Sequence, residues 1–138
     1  MITTIISIIV VLLILFLFVS CIKIVPQEHA YVIERLGKYL CTWRAGLHFK
    51  VPIIDNVINK ISLKEQVLDF PPQPVITKDN VSVRVDSVVF AKVFDPKLYT
   101  YGVENPIAGL QNLSATSLRS IIGGMELDTT LSSREQIN

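Results

Sequence analysis

The sequence predicts an α+β fold behind an N-terminal transmembrane helix. Three observations carry that reading: an uncharged apolar run over Ile2–Ile22, a series of short segments with period-two alternation between Ala30 and Phe94, and helix-period segments after Asn105. The 138 residues carry a formal net charge of +1 and are half hydrophobic. Charges are interspersed after Lys23, so the hydrophobic excess belongs to the first segment and the remainder reads as ordinary globular sequence. Strands followed by helices, with one small core, is the α+β pattern.

Sixteen of the twenty-one residues from Ile2 to Ile22 are Ile, Leu, Val or Phe, and none is charged. At about 1.5 Å per helical residue they span about 30 Å, the hydrocarbon thickness of a bilayer. Each contributes roughly −0.3 to −0.6 kcal/mol at the helix centre, so insertion is favoured by several kcal/mol. A cleaved signal needs a basic leading region, a shorter run and a small-x-small site, and none is present. Phe18-Val19-Ser20-Cys21 loosely resembles a bacterial lipobox, but Phe18 replaces the usual Leu. Lys23, Arg35 and Lys38 all follow the run, which predicts the N-terminus outside and the C-terminal part in the cytoplasm of a single-pass cell-membrane protein. Two cysteines, Cys21 and Cys41, make no disulfide framework. Cys21 is expected to be a small apolar residue at the helix end, with S-acylation the alternative.

Pro26 is expected to break the anchor helix. Ala30–Leu36 reads as a strand punctuated by Gly37-Lys38. Leu47, Phe49 and Val51 alternate with His48 and Lys50, predicting a half-buried strand that stops at Pro52. Val57–Leu68 reads as one longer strand with Ile61, Leu63 and Val67 on one face. Phe70-Pro71-Pro72-Gln73-Pro74 is expected to be a stiff connector outside any central strand. Val75–Thr77 and Val81–Phe94 form a hairpin about Lys78-Asp79-Asn80, and the parity slip at Ser87-Val88-Val89 predicts a bulge or burial of both faces. Asn105 caps a helix with Pro106 at its first position. Ile107, Leu110, Leu113, Ser117, Leu118, Ile121 and Ile122 give it an apolar stripe, and Gly123-Gly124 ends it. Ser132-x-x-Glu135 reads as a capping box. The helix it opens has barely begun at Asn138, so the sequence reads as a piece of a longer chain.

No catalytic constellation stands out. His29 and His48 have no partner at metal-ligand spacing; His29 is expected at a strand start and His48 on a solvated strand face. No Gly-x-Ser-x-Gly elbow is present, and Gly123-Gly124 ends a helix instead of opening one, which is wrong for a phosphate cradle. The near-neutral charge argues against nucleic-acid binding. Asn80-Val81-Ser82 and Asn112-Leu113-Ser114 match the glycosylation sequon at chance level. Close after the anchor, Leu47, Phe49, Lys50, Ile53 and Ile54 form an apolar cluster with one basic residue. It reads either as a core strand and turn or as an edge dipping into the headgroup region, with Lys50 facing lipid phosphate.

Several stretches, taken in order, resemble one family. Val25-Pro26-Gln27-Glu28 and Glu34-Arg35-Leu36-Gly37-Lys38-Tyr39 are similar to its opening strand and turn. Gly46-Leu47-His48-Phe49 with Pro52 and Asp55, then Thr77-Lys78-Asp79-Asn80-Val81, then Met125–Asp128 and Leu131–Asn138, resemble its later motifs. The family is the stomatin/prohibitin/flotillin, SPFH or band-7, superfamily, here its bacterial stomatin-like branch. Ala45 stands where the family usually has Pro, and Asp95–Tyr101 is a looser version of its segment. The family's last domain strand and long coiled-coil helix are absent from the 138 residues.

The resemblance implies a transmembrane anchor at 1–22, a membrane-proximal β-rich subdomain at 23–74, and an incomplete α/β second subdomain at 75–138. It implies a non-enzymatic, cofactor-free scaffold that assembles as a homo-oligomer on membrane lipid, organises a microdomain and regulates enclosed proteins. Membrane-bound proteases of the NfeD or AAA type are the expected clients. The alternative is a regulatory subunit of a protease or channel without large self-assembly. Expected oligomer contacts are Arg84, Asp86, Arg119, Arg134 and Glu135, with a plain solvated face the alternative reading of Arg84 and Asp86.

Overall fold

The computed structural model describes residues 1–138, except the side chains of Arg134 and Gln136. The chain forms two compact units, Met1–Lys64 with Lys92–Gly102, and Glu65–Ala91 with Val103–Asn138. The expected division after Pro74 falls inside a continuous strand; the chain passes between units at Lys64/Glu65, Ala91/Lys92 and Gly102/Val103 instead.

In the first unit, helix α1 (Ile2–Cys21) has no buried residue. It ends four residues ahead of Val25, earlier than Pro26 alone would dictate. Ile22 turns extended (φ −85°, ψ 127°) and enters strand β1 (Ile22–Val25). Pairing, not proline, stops the helix: β1 runs antiparallel to β4 (Gly46–Phe49), with Ile22 opposite Phe49 and Ile24 opposite Leu47.

Strands β2 (His29–Arg35), β3 (Lys38–Trp43) and β5 (Asp55–Ser62) make an antiparallel sheet in the order β3-β2-β5. Ala30, Tyr31, Val32 and Ile33 are all buried, so the central strand is covered on both faces. Val25, Tyr31, Ile33 and Trp43 form the core, with Cys41 and Val57 packed against it. The expected strand Val57–Leu68 is split. β5 stops at Ser62, where the Leu63 amide donates to the Glu28 carbonyl, and β6 (Gln66–Ile76) starts anew. Helix α2 (Pro96–Tyr101) starts at Asp95, whose carboxylate accepts the Lys97 and Leu98 amides. It is tied to β2 by the Tyr101 hydroxyl, which donates to Glu34 Oε1 at 2.6 Å.

In the second unit β6 pairs antiparallel with β7 (Ser82–Ala91). The proline-rich stretch therefore lies within a strand. A two-stranded ribbon has two free edges, and the register shift between Phe70 and Gln73 takes Pro71 and Pro72 out of the ladder. The bulge expected at Ser87–Val89 is absent there: those residues pair regularly, and the extra residue falls at the two prolines on the facing strand. β7 itself alternates without a break, so Arg84, Asp86, Val88 and Phe90 share its exposed face.

Helix α3 (Pro106–Gly123) packs on β6, with the Asn105 side chain accepting the Ala108 amide and Ile122 buried beside the hairpin. Leu113, expected on the packed stripe, is 64% exposed. Gly124 closes the helix at φ −88°, an ordinary right-handed value. Helices α4 (Leu127–Ser132) and α5 (Arg134–Ile137) follow. Ser132 is not the expected N-cap. Its hydroxyl donates back to the Asp128 and Thr129 carbonyls and closes α4.

Candidate membrane-facing site

The β1–β4 ribbon inverts the usual rule for a water-soluble strand. Residues directly opposite in an antiparallel ladder share a face, so Ile22, Ile24, Leu47 and Phe49 lie together, and all four are exposed, Phe49 at 70%. The opposite face carries buried Val25 and half-buried His48. His48, expected on a solvated face, stacks on Trp43 with ring centroids 5.0 Å apart and planes within 6°, and its Nε2 lies 2.8 Å from the Arg44 carbonyl. Leu47 and Phe49, expected half-buried, are the ones turned outward.

The apolar face runs on from the anchor without a linker. The Lys50 amide donates to the Cys21 carbonyl at 2.8 Å, extending the ladder to the last residue of α1. Beyond Lys50 the turn Val51–Ile54 projects Val51 and Ile53, the latter 85% exposed, while Ile54 is half-buried. Of the expected lipid-contacting residues, the structure gathers Leu47, Phe49, Lys50 and Ile53 on this one continuous stretch. Ile22, Ile24 and Val51 join them. The alternation Ile22-Lys23-Ile24 directly after the apolar run was the sequence signal for the first two.

One carboxylate holds that turn. Asp55 is buried, and its Oδ1 accepts Arg35 Nε at 2.6 Å while Oδ2 accepts Arg35 Nη2 and the Val51 amide, each at 3.0 Å. The Arg35 guanidinium and the Val51 N–H, working against burial, hold the Asp55 carboxyl well down at about 2. The same hydrogen bond raises the Arg35 guanidinium further above its ordinary value. The Leu36 amide adds a hydrogen bond to the Ile54 carbonyl at 3.2 Å. Nothing in the sequence flagged Arg35 and Asp55 as partners, twenty residues apart.

In the second unit the Thr77-Lys78-Asp79-Asn80 turn is built for its residues. Thr77 Oγ donates to Asp79 Oδ1 at 2.7 Å, and Asn80 takes the left-handed conformation (φ 64°) that asparagine tolerates. Asp79 then accepts the Leu127 amide at 3.1 Å, capping α4 from 48 residues away, where Glu126 supplies no side-chain cap. The Thr77 hydroxyl and the Leu127 amide, opposing burial, hold the Asp79 carboxyl below its ordinary value. Arg84, Asp86, Arg119 and Glu135 are exposed and make no ion pair among the described residues; the Arg134 side chain lies outside them. No group of three or more His, Cys, Asp or Glu gathers at metal-binding geometry among the described residues.

The SPFH domain / Band 7 family profile matches residues 23–138. An uncharacterised protein of Methanothermobacter thermautotrophicus is 46% identical over 134 residues, covering 97% of this chain and 42% of its own length. The stomatin-like protein stl-1 of Caenorhabditis elegans is 41% identical over 119 residues, covering 86% of this chain and 37% of its own. Stomatin-like protein 2, mitochondrial, of Rattus norvegicus is 37% identical, covering 86% and 34%. The chain spans between 34% and 42% of the length of these three relatives. An apolar N-terminal helix, antiparallel sheets, and a family match over nearly everything after the helix agree: this chain belongs to the SPFH domain / Band 7 family and is of the membrane-associated, stomatin-like kind.

Proposed function

We propose that this chain is the membrane-apposed part of a homo-oligomeric scaffold that organises a lipid microdomain and regulates the membrane proteins it encloses, membrane-bound proteases among them. The observation that carries the reading is the outward-facing apolar ribbon, continuous with α1 through the Lys50–Cys21 hydrogen bond. An exposed, contiguous apolar patch marks an interaction surface. Its position at the end of a bilayer-length helix makes lipid the occupant. Lys50, directly after β4 at the helix end, is the cation placed nearest headgroup phosphate. The chain lies in a single-pass arrangement, with the units after α1 on the cytoplasmic side. Self-assembly draws on the exposed strand face of Arg84 and Asp86 and on the exposed flank of α3 with Arg119.

The deciding measurement is the mass of the full-length protein in mild detergent, by light scattering and negative-stain imaging. Rings or cages of megadalton size are expected. A discrete monomer or dimer, reproduced across detergents, overturns self-assembly and leaves a partner-dependent regulatory subunit as the better account.

A further inference from the structure

We propose that the β2–β3 turn is a second lipid-contacting point, with Leu36 inserted at the headgroup–acyl boundary and Lys38 beside it for anionic lipid phosphate. The inference rests on reading the β1–β4 face as membrane-apposed, and it adds a contact on a different part of the chain. Leu36 sits at φ 51°, in the left-handed region, and is 79% exposed. Glycine or asparagine is what a turn's backbone favours there, and a bulky apolar residue is a genuine outlier. Neither the backbone nor the core has a use for leucine at this position. A contact outside the chain does.

The turn is joined rigidly to the lipid-facing stretch. The Leu36 amide donates to the Ile54 carbonyl, and Arg35 grips Asp55 through two nitrogens, so Leu36 is held against the turn that bears Ile53. That turn connects through Lys50 to the end of α1. The charges also fit. Lys38 is exposed and in no ion pair among the described residues, Arg35 and Asp55 neutralise each other, and Glu34 accepts the Tyr101 hydroxyl. Apolar side chains flanked by basic ones are the composition of an interfacial anchor on anionic lipid.

The test uses the full chain with Cys21→Ser and Cys41→Ala, reconstituted in phosphatidylcholine vesicles with and without phosphatidylglycerol. Leu36→Cys, Ile53→Cys and Lys64→Cys are each labelled with an NBD fluorophore and quenched by lipid-borne doxyl or aqueous iodide. The expected result is several-fold stronger doxyl quenching at 36 and 53 than at the exposed control 64. The signal at 36 should also fall at least twofold without phosphatidylglycerol, or when Lys38→Gln is added. If 53 is quenched by lipid while 36 behaves like 64, the inference is overturned and the β1–β4 reading stands. If neither is quenched, both fall. Protection of 36 from both quenchers assigns the turn to a protein contact, which overturns it as well, and insensitivity to phosphatidylglycerol overturns the role given to Lys38.

Discussion

Asp55→Asn separates the clamp on the Val51–Ile54 turn from everything else in the first unit, because asparagine keeps the shape and can still accept the Val51 amide. What it loses is the charge facing Arg35. A carboxyl held at about 2, against an ordinary value of 3.8, bounds the contribution at about 2–3 kcal/mol. The Arg35 side chain is 42% exposed, so water screens the pair and rehydrates the arginine when its partner is gone. The expected loss at pH 7 is therefore about 1–2 kcal/mol. Because the folded carboxyl titrates below the unfolded one, this stability is present above pH 4 and disappears as pH falls from about 4 to about 2. The chain has one tryptophan, Trp43, buried in the same unit, so denaturant unfolding of the detergent-solubilised protein can be followed by its fluorescence. Wild type and Asp55→Asn should differ at pH 7 and converge towards pH 2. Equal midpoints at pH 7, or a gap that persists at pH 2, would refute the reasoning.

Gly37→Ala should cost about 1 kcal/mol in the same assay: Gly37 has φ +81°, nothing lies within 4 Å of an added Cβ, and the whole penalty is conformational. Asp79→Ala should speed exchange of the Leu127 amide, read by hydrogen–deuterium exchange, while the amides of β2 are unchanged. Equal exchange at Leu127 would mean that water caps α4 as well as Asp79 does. The Tyr101 hydroxyl, donating to Glu34, is pushed up to about 12. Its contribution is therefore complete below pH 10 and lost as pH rises to 12, and ultraviolet titration should show a late tyrosine step that is absent in Tyr101→Phe.

What the sequence showed depended on the reach of the interaction. The Asn105-Pro106 start of α3 and the Thr77–Val81 turn are local, and both lie where the pattern placed them. The strand at Ala30 was legible because tertiary burial and β propensity agree there. The prolines at 71, 72 and 74 read as a connector because a residue's own chemistry cannot say that its strand has a free edge and a bulge. Ser132 read as an N-cap because the motif is symmetric to sequence; the hydroxyl's choice between a forward amide and a backward carbonyl is made by where α4 ends. Arg35–Asp55 and Asp79–Leu127 were invisible for a simpler reason. Each joins residues that only the fold brings together.

The parity of β4 was the most informative failure, and its cause can be traced. Val25 is buried in the core, which fixes the inner face of β1 as Lys23 and Val25. The register then dictates that Gly46 and His48 face inward on β4, and Leu47 and Phe49 outward. Sliding β4 by one residue would exchange every side chain between the faces and bring Leu47 and Phe49 in. In water that exchange would be favoured, since fully burying each such side chain is worth about 1.5–3 kcal/mol and a domain's whole stability is about 5–15 kcal/mol. The fold forgoes it and fills the inner position with a histidine that needs Trp43 for cover and the Arg44 carbonyl for a partner. A register that turns four large apolar side chains outward, beside the end of a bilayer-length helix, is what the proposed lipid contact accounts for.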